Sequence, residues 1–221
     1  MAMTLEQLEK GWLRLKADQD CRNLMARYSH LHATGRHEEY MELWAKREDD
    51  VLEMPWGRYE GYKGVCNCYL VDHTHRGMGE LFFERMKGCM FVHQMDTVLI
   101  EIADDLKTAK AALITPGTET YVDRATGTAE GDWSWGKYGV DFICEDGVWK
   151  FWKMRLYPSI LTDYYTCWTD CEPYEGFKPE VHIDGPNTVP VGNYSPDEWP
   201  ATDQPEPPLP YDHYSDTKPC C

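Results

Sequence analysis

Helical periodicity comes first in this chain and strand-forming sequence follows it, and that order restricts the fold more than any other feature. Leu5, Leu8, Trp12 and Leu15 recur at steps of three and four residues, the repeat of one helix face. Cys21, Leu24, Met25 and Tyr28 continue the spacing, so one long or broken helix is predicted over residues 4–33, ended by Gly35. Residues 37–46 read as a second, short helix with Tyr40, Leu43 and Trp44 on its apolar face. Residues 51–59 contain Pro55 and Gly57 and predict a short edge strand or extended segment. Residues 61–72 and 80–87 read as further helices, with Gly77 and Gly79 between them. From Cys89 onward β-branched and aromatic residues dominate, and strands are predicted over 89–102, 108–116, 132–145 and 148–157. Asp104-Asp105 marks one turn. Asp146-Gly147 marks a tight hairpin, because that pair tolerates the positive φ of a type I′ turn. Helices followed by antiparallel strands are an α+β order.

Charge narrows the partners. The 221 residues carry a net charge of −16, which repels nucleic-acid phosphates and anionic membrane surfaces alike. Twelve acids against two bases lie from Pro158 onward, so −10 of that charge sits in the C-terminal part. Nine of the fourteen prolines lie between Pro186 and Pro219, a composition that favours extended backbone over helix or central strand. Tyr194, Trp199, Tyr211 and Tyr214 punctuate the same stretch, and an arm pinned to protein surface is expected, burying Trp168, Trp199, Tyr194 and Tyr211. The organisation predicted is a domain over residues 1–160 and an acidic, proline- and aromatic-rich arm over 161–221. Nine cysteines at irregular spacing do not suggest a disulfide framework. No basic, then apolar, leader opens the sequence, and no run approaches the ~18 apolar residues of a membrane span. A cytoplasmic protein is the expectation.

Three stretches carry a resemblance. Residues 18–29 (DQDCRNLMARYS), 91–102 (FVHQMDTVLIEI) and 138–153 (YGVDFICEDGVWKFWK) resemble the first helix, a long strand and the last hairpin of the NTF2-like superfamily, in its SnoaL-like branch. The likeness spans residues 15–160. It implies a cone in which N-terminal helices pack on a curved, mainly antiparallel sheet around one deep apolar pocket. It also implies a homo-oligomer, dimer or trimer. Members include scytalone dehydratase, bile acid 7α-dehydratase, ketosteroid isomerase and polyketide cyclases, together with proteins that only bind.

Tyr28 and His93 match the tyrosine and histidine of the bile acid dehydratase pattern. An imidazole can remove a proton beside a carbonyl, and a phenol can donate to an oxygen as charge grows on it. The carboxylate that the pattern has five residues after the tyrosine is replaced here by Ala33, flanked by His32 and Thr34. The pattern's second acid falls near residues 115–117, where Glu119 is the nearest carboxylate. Asp96 is an alternative partner for His93. Asp141, in a run otherwise fit for burial, is a third catalytic candidate. A hairpin register set by Asp146-Gly147 places it opposite Trp152, and Gly139 opposite Met154. His32, Trp56, His75, Trp135, Trp152 and Met154 are the candidate substrate contacts. Cys66, Cys68, His73 and His75 lack the usual zinc spacings, so no metal is expected. No dinucleotide, P-loop or serine-nucleophile motif occurs, so no cofactor is expected either. The function implied is a cofactor-independent lyase or isomerase, a dehydratase first of all, acting on a hydrophobic ring compound. The alternative is a non-catalytic small-molecule binder or accessory subunit on the same fold.

Overall fold

A computed structural model describes residues 3–72, 87–123, 125–170, 183–188, 194–195 and 204–215. Helix α1 runs Leu5–Ala33 and opens on a reciprocal cap, in which Gln7 N–H donates to Thr4 Oγ1 and Thr4 N–H donates to Gln7 Oε1. Gly35, at φ 68°, follows its end. Ala17, Cys21, Leu24, Met25 and Tyr28 form the buried stripe. Leu5, Leu8, Trp12 and Leu15, which share the helical repeat, are exposed instead, because the first turns of α1 extend past the buried stripe. Helix α2, His37–Met41, is shorter than the periodicity predicts. The chain leaves it to bond the last strand, β8 (Val148–Asp163): Phe151 N–H donates to Leu43 O and Ala45 N–H to Phe151 O, both at 2.9 Å.

The expected edge strand is a hairpin of β1, Val51–Met54, and β2, Gly57–Glu60. Only β2 is at the edge. β1 lies between β2 and a parallel β8, and all four of its residues are buried. Helix α3, Gly61–Cys66, continues into a π-helical segment, Asn67–Asp72. The helix expected over 80–87 falls outside the described residues, save Lys87 at its end. The single strand predicted over 89–102 breaks at Gln94-Met95 into β3, Met90–His93, and β4, Asp96–Ile102. β5 is Thr108–Thr115, β6 is Gly117–Val122, β7 is Ala129–Glu145 and β8 is Val148–Asp163.

The long β7–β8 hairpin is the spine of the sheet, ordered β2-β1-β8-β7-β5-β4. The other edge of β7 is shared. Its first part pairs β6, which carries β3, and its later part pairs β5. Asp146 and Gly147 turn the hairpin at φ 51° and 77°, the expected left-handed pair. The register from that turn holds through Phe142↔Phe151, and then Trp152 is an extra residue in β8. Asp141 therefore faces Lys153, and Gly139 faces Arg155, each one position on from the sequence expectation.

Tyr138, Val140 and Phe142 alternate inward against α1, where Tyr28, Tyr40, Trp44, Tyr69 and Phe151 complete an aromatic core. The opposite face of the sheet carries charge under cover. Asp141 is fully buried, and its Oδ2 accepts from Tyr214 of the arm at 3.0 Å. Burial raises its carboxyl, against the pull of Lys110, Tyr214, Lys153 and Arg155. Lys110 lies 4.9 Å from the Tyr214 ring centre, and Lys153 Nζ donates to the Tyr214 hydroxyl at 2.9 Å. Nearby, buried Glu53 accepts from Arg155 Nε at 2.9 Å and from Thr188 Oγ1 at 2.6 Å.

The arm thus lies on protein along residues 183–188 and 204–215, but by a different principle from the one expected. Trp168 and Tyr194 are largely exposed, Tyr211 and Tyr214 are half-buried, and Trp199 lies outside the described residues. Polar groups of the arm complete buried charges of the sheet, and the backbone oxygens of Tyr211 and Asp212 accept from Asp104 and Asp105 N–H. No helix among the described residues is long and apolar enough to cross a membrane.

Asp50 precedes β1, and its fully buried carboxylate has one oxygen, Oδ1, with no hydrogen-bond partner among the described residues. Burial is the main cause that moves its pKa from 3.8 to about 7. The folded state therefore holds the proton more tightly than the unfolded chain, and stability falls as pH rises from 3.8 through about 7. Asp50→Asn is expected to raise the melting temperature at about pH 8 and to change it little near pH 4. Equal shifts at both values would refute this.

Candidate functional site

The break at Gln94-Met95 is what assembles the site. It frees β3 to pair with β6 rather than run on into β4, and the register sets Phe91 opposite Glu119 and His93 opposite Gly117. His93, 7% exposed, then reaches diagonally along β6, and its Nε2 lies 3.1 Å from Glu119 Oε1. The other carboxylate oxygen accepts from the Tyr121 hydroxyl. Burial would raise the Glu119 carboxyl, but the hydrogen bond and charge of His93, with hydrogen bonds from Tyr121 and Ser134, hold it at about 2. Glu119 is therefore ionised at neutral pH, and it keeps the Nε2 hydrogen on His93. In the neutral imidazole the lone pair is then on Nδ1. Helix α1 fastens the same strand, since Ser29 Oγ donates to the backbone oxygen of His93 at 2.6 Å.

Gly117 makes room for this arrangement. A Cβ there would stand 2.7 Å from His93 Nδ1 and would run into the Ser134 carbonyl oxygen. Gly117→Ala is expected to cost about 1–3 kcal/mol, the usual size of overpacking, and to displace the His93 ring. Urea unfolding checks the first, and an unchanged midpoint would contradict it.

Tyr28, fully buried, stands at the centre of a hydroxyl cluster. Its oxygen lies 3.0 Å from that of Tyr138 and 3.2 Å from that of Tyr69. Burial raises its phenol well above the ordinary tyrosine value. His32, one turn further along α1, stacks on Tyr28 at 5.5 Å between ring centres and 20° between planes. The His32 ring is also 5.6 Å from that of His93 and 6.5 Å from that of Phe91. His32 Nδ1 is 3.2 Å from His37 Nε2, and His37 Nδ1 is 3.1 Å from the backbone oxygen of Tyr69. Burial lowers His37 to about 4, so this imidazole is neutral near pH 7.

The structure therefore joins Tyr28, His32 and His93 into one continuous cluster and adds Glu119, His37, Tyr69 and Tyr138. Asp96 is exposed on β4 and pairs with Ile114, so it is not the partner of His93. Asp141, between inward Val140 and Phe142, points to the other side of the sheet, and Trp152 packs there against Tyr214 at 4.5 Å. Met154 is buried in the core, where its sulfur accepts from the Tyr40 hydroxyl at 3.8 Å. Trp56 lies in the β1–β2 turn and donates to the Tyr59 hydroxyl at 2.9 Å, and Trp135 is 39% exposed on β7. His75 lies outside the described residues. Sequence reasoning did not reach His37 or Tyr69. Their only local signal was helical spacing, which does not say which loop comes to rest on which helix.

Comparison with known proteins agrees with this architecture. A family described as SnoaL-like domain matches residues 13–155. Among solved structures, a candidate scytalone dehydratase from Novosphingobium aromaticivorans DSM 12444 is 17% identical with TM-score 0.54, covering 70% of this chain and 92% of that one. An NTF2-like protein with a cystatin-like fold, from Novosphingobium aromaticivorans, is 18% identical with TM-score 0.52, covering 71% and 90%. The hexachlorocyclohexane dehydrochlorinase LinA-type3 of Novosphingobium barchaimii LL02 is 14% identical with TM-score 0.52, covering 71% and 96%. No curated protein matches the sequence. At these identities the structures speak for the fold alone, while the family match spans most of the cone from α1 into β8: the chain belongs to the SnoaL-like domain family and has the NTF2-like fold.

Proposed function

We propose that the protein is a cofactor-independent lyase that eliminates water from a hydrophobic ring compound. The observation that carries this reading is the pair of buried His93 and part-buried Glu119 at 3.1 Å beneath an aromatic cluster. His93 Nδ1 takes a proton from the carbon beside a carbonyl, the C–H electrons become the new double bond, and the carbon–oxygen bond on the next carbon breaks with its electron pair going to oxygen, which leaves as hydroxide and takes up a proton from solvent to give water. The imidazolium formed is stabilised by the Glu119 carboxylate, which is already ionised and hydrogen-bonded and need not reorganise. Tyr28 acts as a positioning group. Its hydroxyl is engaged by two other tyrosines, and its ring carries His32. The names of two structural neighbours, a dehydratase and a dehydrochlorinase, are both those of eliminations and support the reading. A homo-oligomer is part of the same proposal, supported by the exposed apolar residues Leu5, Leu8, Trp12 and Leu15 on α1.

The test is a screen of β-hydroxy ring ketones, steroidal and polyphenolic, with mass spectrometry reading the loss of one water. Turnover that persists in chelator, with no nicotinamide or flavin added, is the expected result. Binding of such compounds without any turnover would instead identify a small-molecule carrier.

A further inference from the structure

We infer that Thr115 binds the substrate's carbonyl: its hydroxyl donates to the ketone oxygen beside the carbon from which His93 takes a proton, and holds that oxygen as it becomes an enolate. This deepens the elimination reading above and rests on it.

The placement follows from the strands. β5 and β6 run along β7 in one register across Pro116, since Thr115 faces Gly136 and, three residues on, Thr118 faces Trp133. Alternation therefore puts Leu113, Thr115, Gly117 and Glu119 on one side of the sheet. Leu113 is in the core and Glu119 meets His93, so that side is the interior of the cone, while Ile114 is exposed. Pro116 ties the same place to the strand of His93, because its backbone oxygen accepts from Gln94 N–H at 3.2 Å.

Thr115 is 1% exposed, and its Oγ1 has no hydrogen-bond partner among the described residues. The other hydroxyls around His93 are engaged. Ser29 donates to the His93 backbone oxygen, Tyr121 and Ser134 bond Glu119, and Tyr138 bonds Tyr28. Glycine is the reason Thr115 is left out. Gly117, next on the same side toward Glu119, and Gly136, opposite on β7, bring no side chain to meet it. Neither position admits one: a Cβ at Gly136 would stand 2.6 Å from Tyr157 O, and one at Gly117 would stand 2.7 Å from His93 Nδ1. A buried hydroxyl with no partner is costly, and folded proteins retain few of them. A ligand oxygen at this point supplies the missing acceptor.

The spacing suits a ketone. His93 Nδ1 stands over Gly117, and Thr115 follows about 6.7 Å along the strand line. A reacting carbon sits about 3–3.5 Å from its base, and a donor sits about 2.7–3.1 Å from the oxygen it stabilises. One bent C–C=O unit joins the two contacts across that distance. As His93 takes the proton, the C–H electron pair is shared with the carbonyl, and part of its charge sits on oxygen, where the Thr115 hydrogen bond meets it. The pair then closes the carbon–carbon double bond as the carbon–oxygen bond at the β-carbon breaks and hydroxide leaves. Thr115 gives up no proton. Tyr28, whose hydroxyl is already bonded to two others, is not needed for this part.

Two variants of the full-length protein test this: Thr115→Val, which keeps the shape and removes the hydroxyl, and Thr115→Ser, which keeps the hydroxyl. Without ligand, Thr115→Val should unfold at a urea concentration equal to or above that of the wild type, since no hydrogen bond is lost. A lower midpoint would show that the hydroxyl is bonded within the protein and would overturn the inference. The enolate is read next with 2-decalone, a ring ketone with no β-hydroxyl, by following exchange of the hydrogens beside its carbonyl in deuterated water. Thr115→Val should slow the catalysed exchange about 10²–10³-fold, the usual loss for one oxyanion donor, and Thr115→Ser under about tenfold. Equal rates in wild type and Thr115→Val would overturn the role of Thr115 and leave His93 as the base. Exchange slowed by Thr115→Val, in a protein that removes no water from any β-hydroxy ring ketone, would keep Thr115 as the carbonyl contact and end the elimination reading.

Discussion

Alanine in place of His93 is expected to lower turnover by about 10²–10⁴-fold, the ordinary size of a general-base contribution. The change does two things at once, because it also strips Glu119 of its main partner. Glu119 keeps its bonds from Tyr121 and Ser134 but loses the charge that holds its carboxyl near 2. Some stability at neutral pH should go with it. His93→Gln separates the effects, since the amide can still donate to Glu119 Oε1 while offering no base. It should melt close to the wild type and show the same loss of turnover. Glu119→Gln removes the carboxylate instead. In the wild type the stabilisation from Glu119 is complete above the unfolded value of 4.5 and disappears as pH falls toward about 2. That part of the acid sensitivity should be missing from the Glu119→Gln melting curves. Wild-type turnover from either His93 variant would remove the basis of the catalytic assignment.

The largest loss of stability is expected at a position far from that chemistry. Glu53 is fully buried on β1 and gathers Arg155, Arg58 and Thr188. Arg155 comes from β8, Arg58 from β2 and Thr188 from the arm, so one carboxylate ties two parts of the sheet to the C-terminal segment. Glu53→Ala leaves two guanidinium groups without their shared counter-charge. Breaking a fully buried pair from one side costs about 3–5 kcal/mol, and the low end of that range is expected here, because both guanidinium groups are partly exposed and Arg58 keeps Glu60 at 2.8 Å. Tyr214→Phe, which removes one hydroxyl from Asp141 and Lys153, is expected to cost about 1 kcal/mol. Urea unfolding should rank the two in that order. Limited proteolysis of Glu53→Ala should also cut near residues 183–188 sooner than in the wild type. A Glu53→Ala loss under about 1 kcal/mol, with an unchanged cleavage pattern, would show that the arm is not held through this residue.

Much of the fold can be read along the chain because much of it is local. A helix repeats every 3.6 residues, so the stripe that includes Tyr28 shows in the spacing of apolar side chains. The Asp146-Gly147 turn shows because only a few residues accept positive φ, and it fixes the register of the hairpin as far as Phe142. The acidic, proline-rich arm shows in composition. What the sequence did not carry was the identity of neighbours. Leu5, Leu8, Trp12 and Leu15 have the spacing of a core stripe and yet are exposed, since periodicity states that residues share a face and not that anything covers it. The extra residue at Trp152 gives no local sign, yet it moves Asp141 from Trp152 to Lys153. β6 holds the strand-forming Thr118, Thr120, Tyr121 and Val122 but no alternating apolar face to mark it, and its place between β3 and β7 is set by the sheet. His93 was visible as a candidate. Its partnership with Glu119, and that of His32 with His37, had to wait for the tertiary structure. Each depends on two segments brought together by chain closure, where hydrogen-bond geometry is set by the packing of whole elements rather than by the residues beside it in sequence.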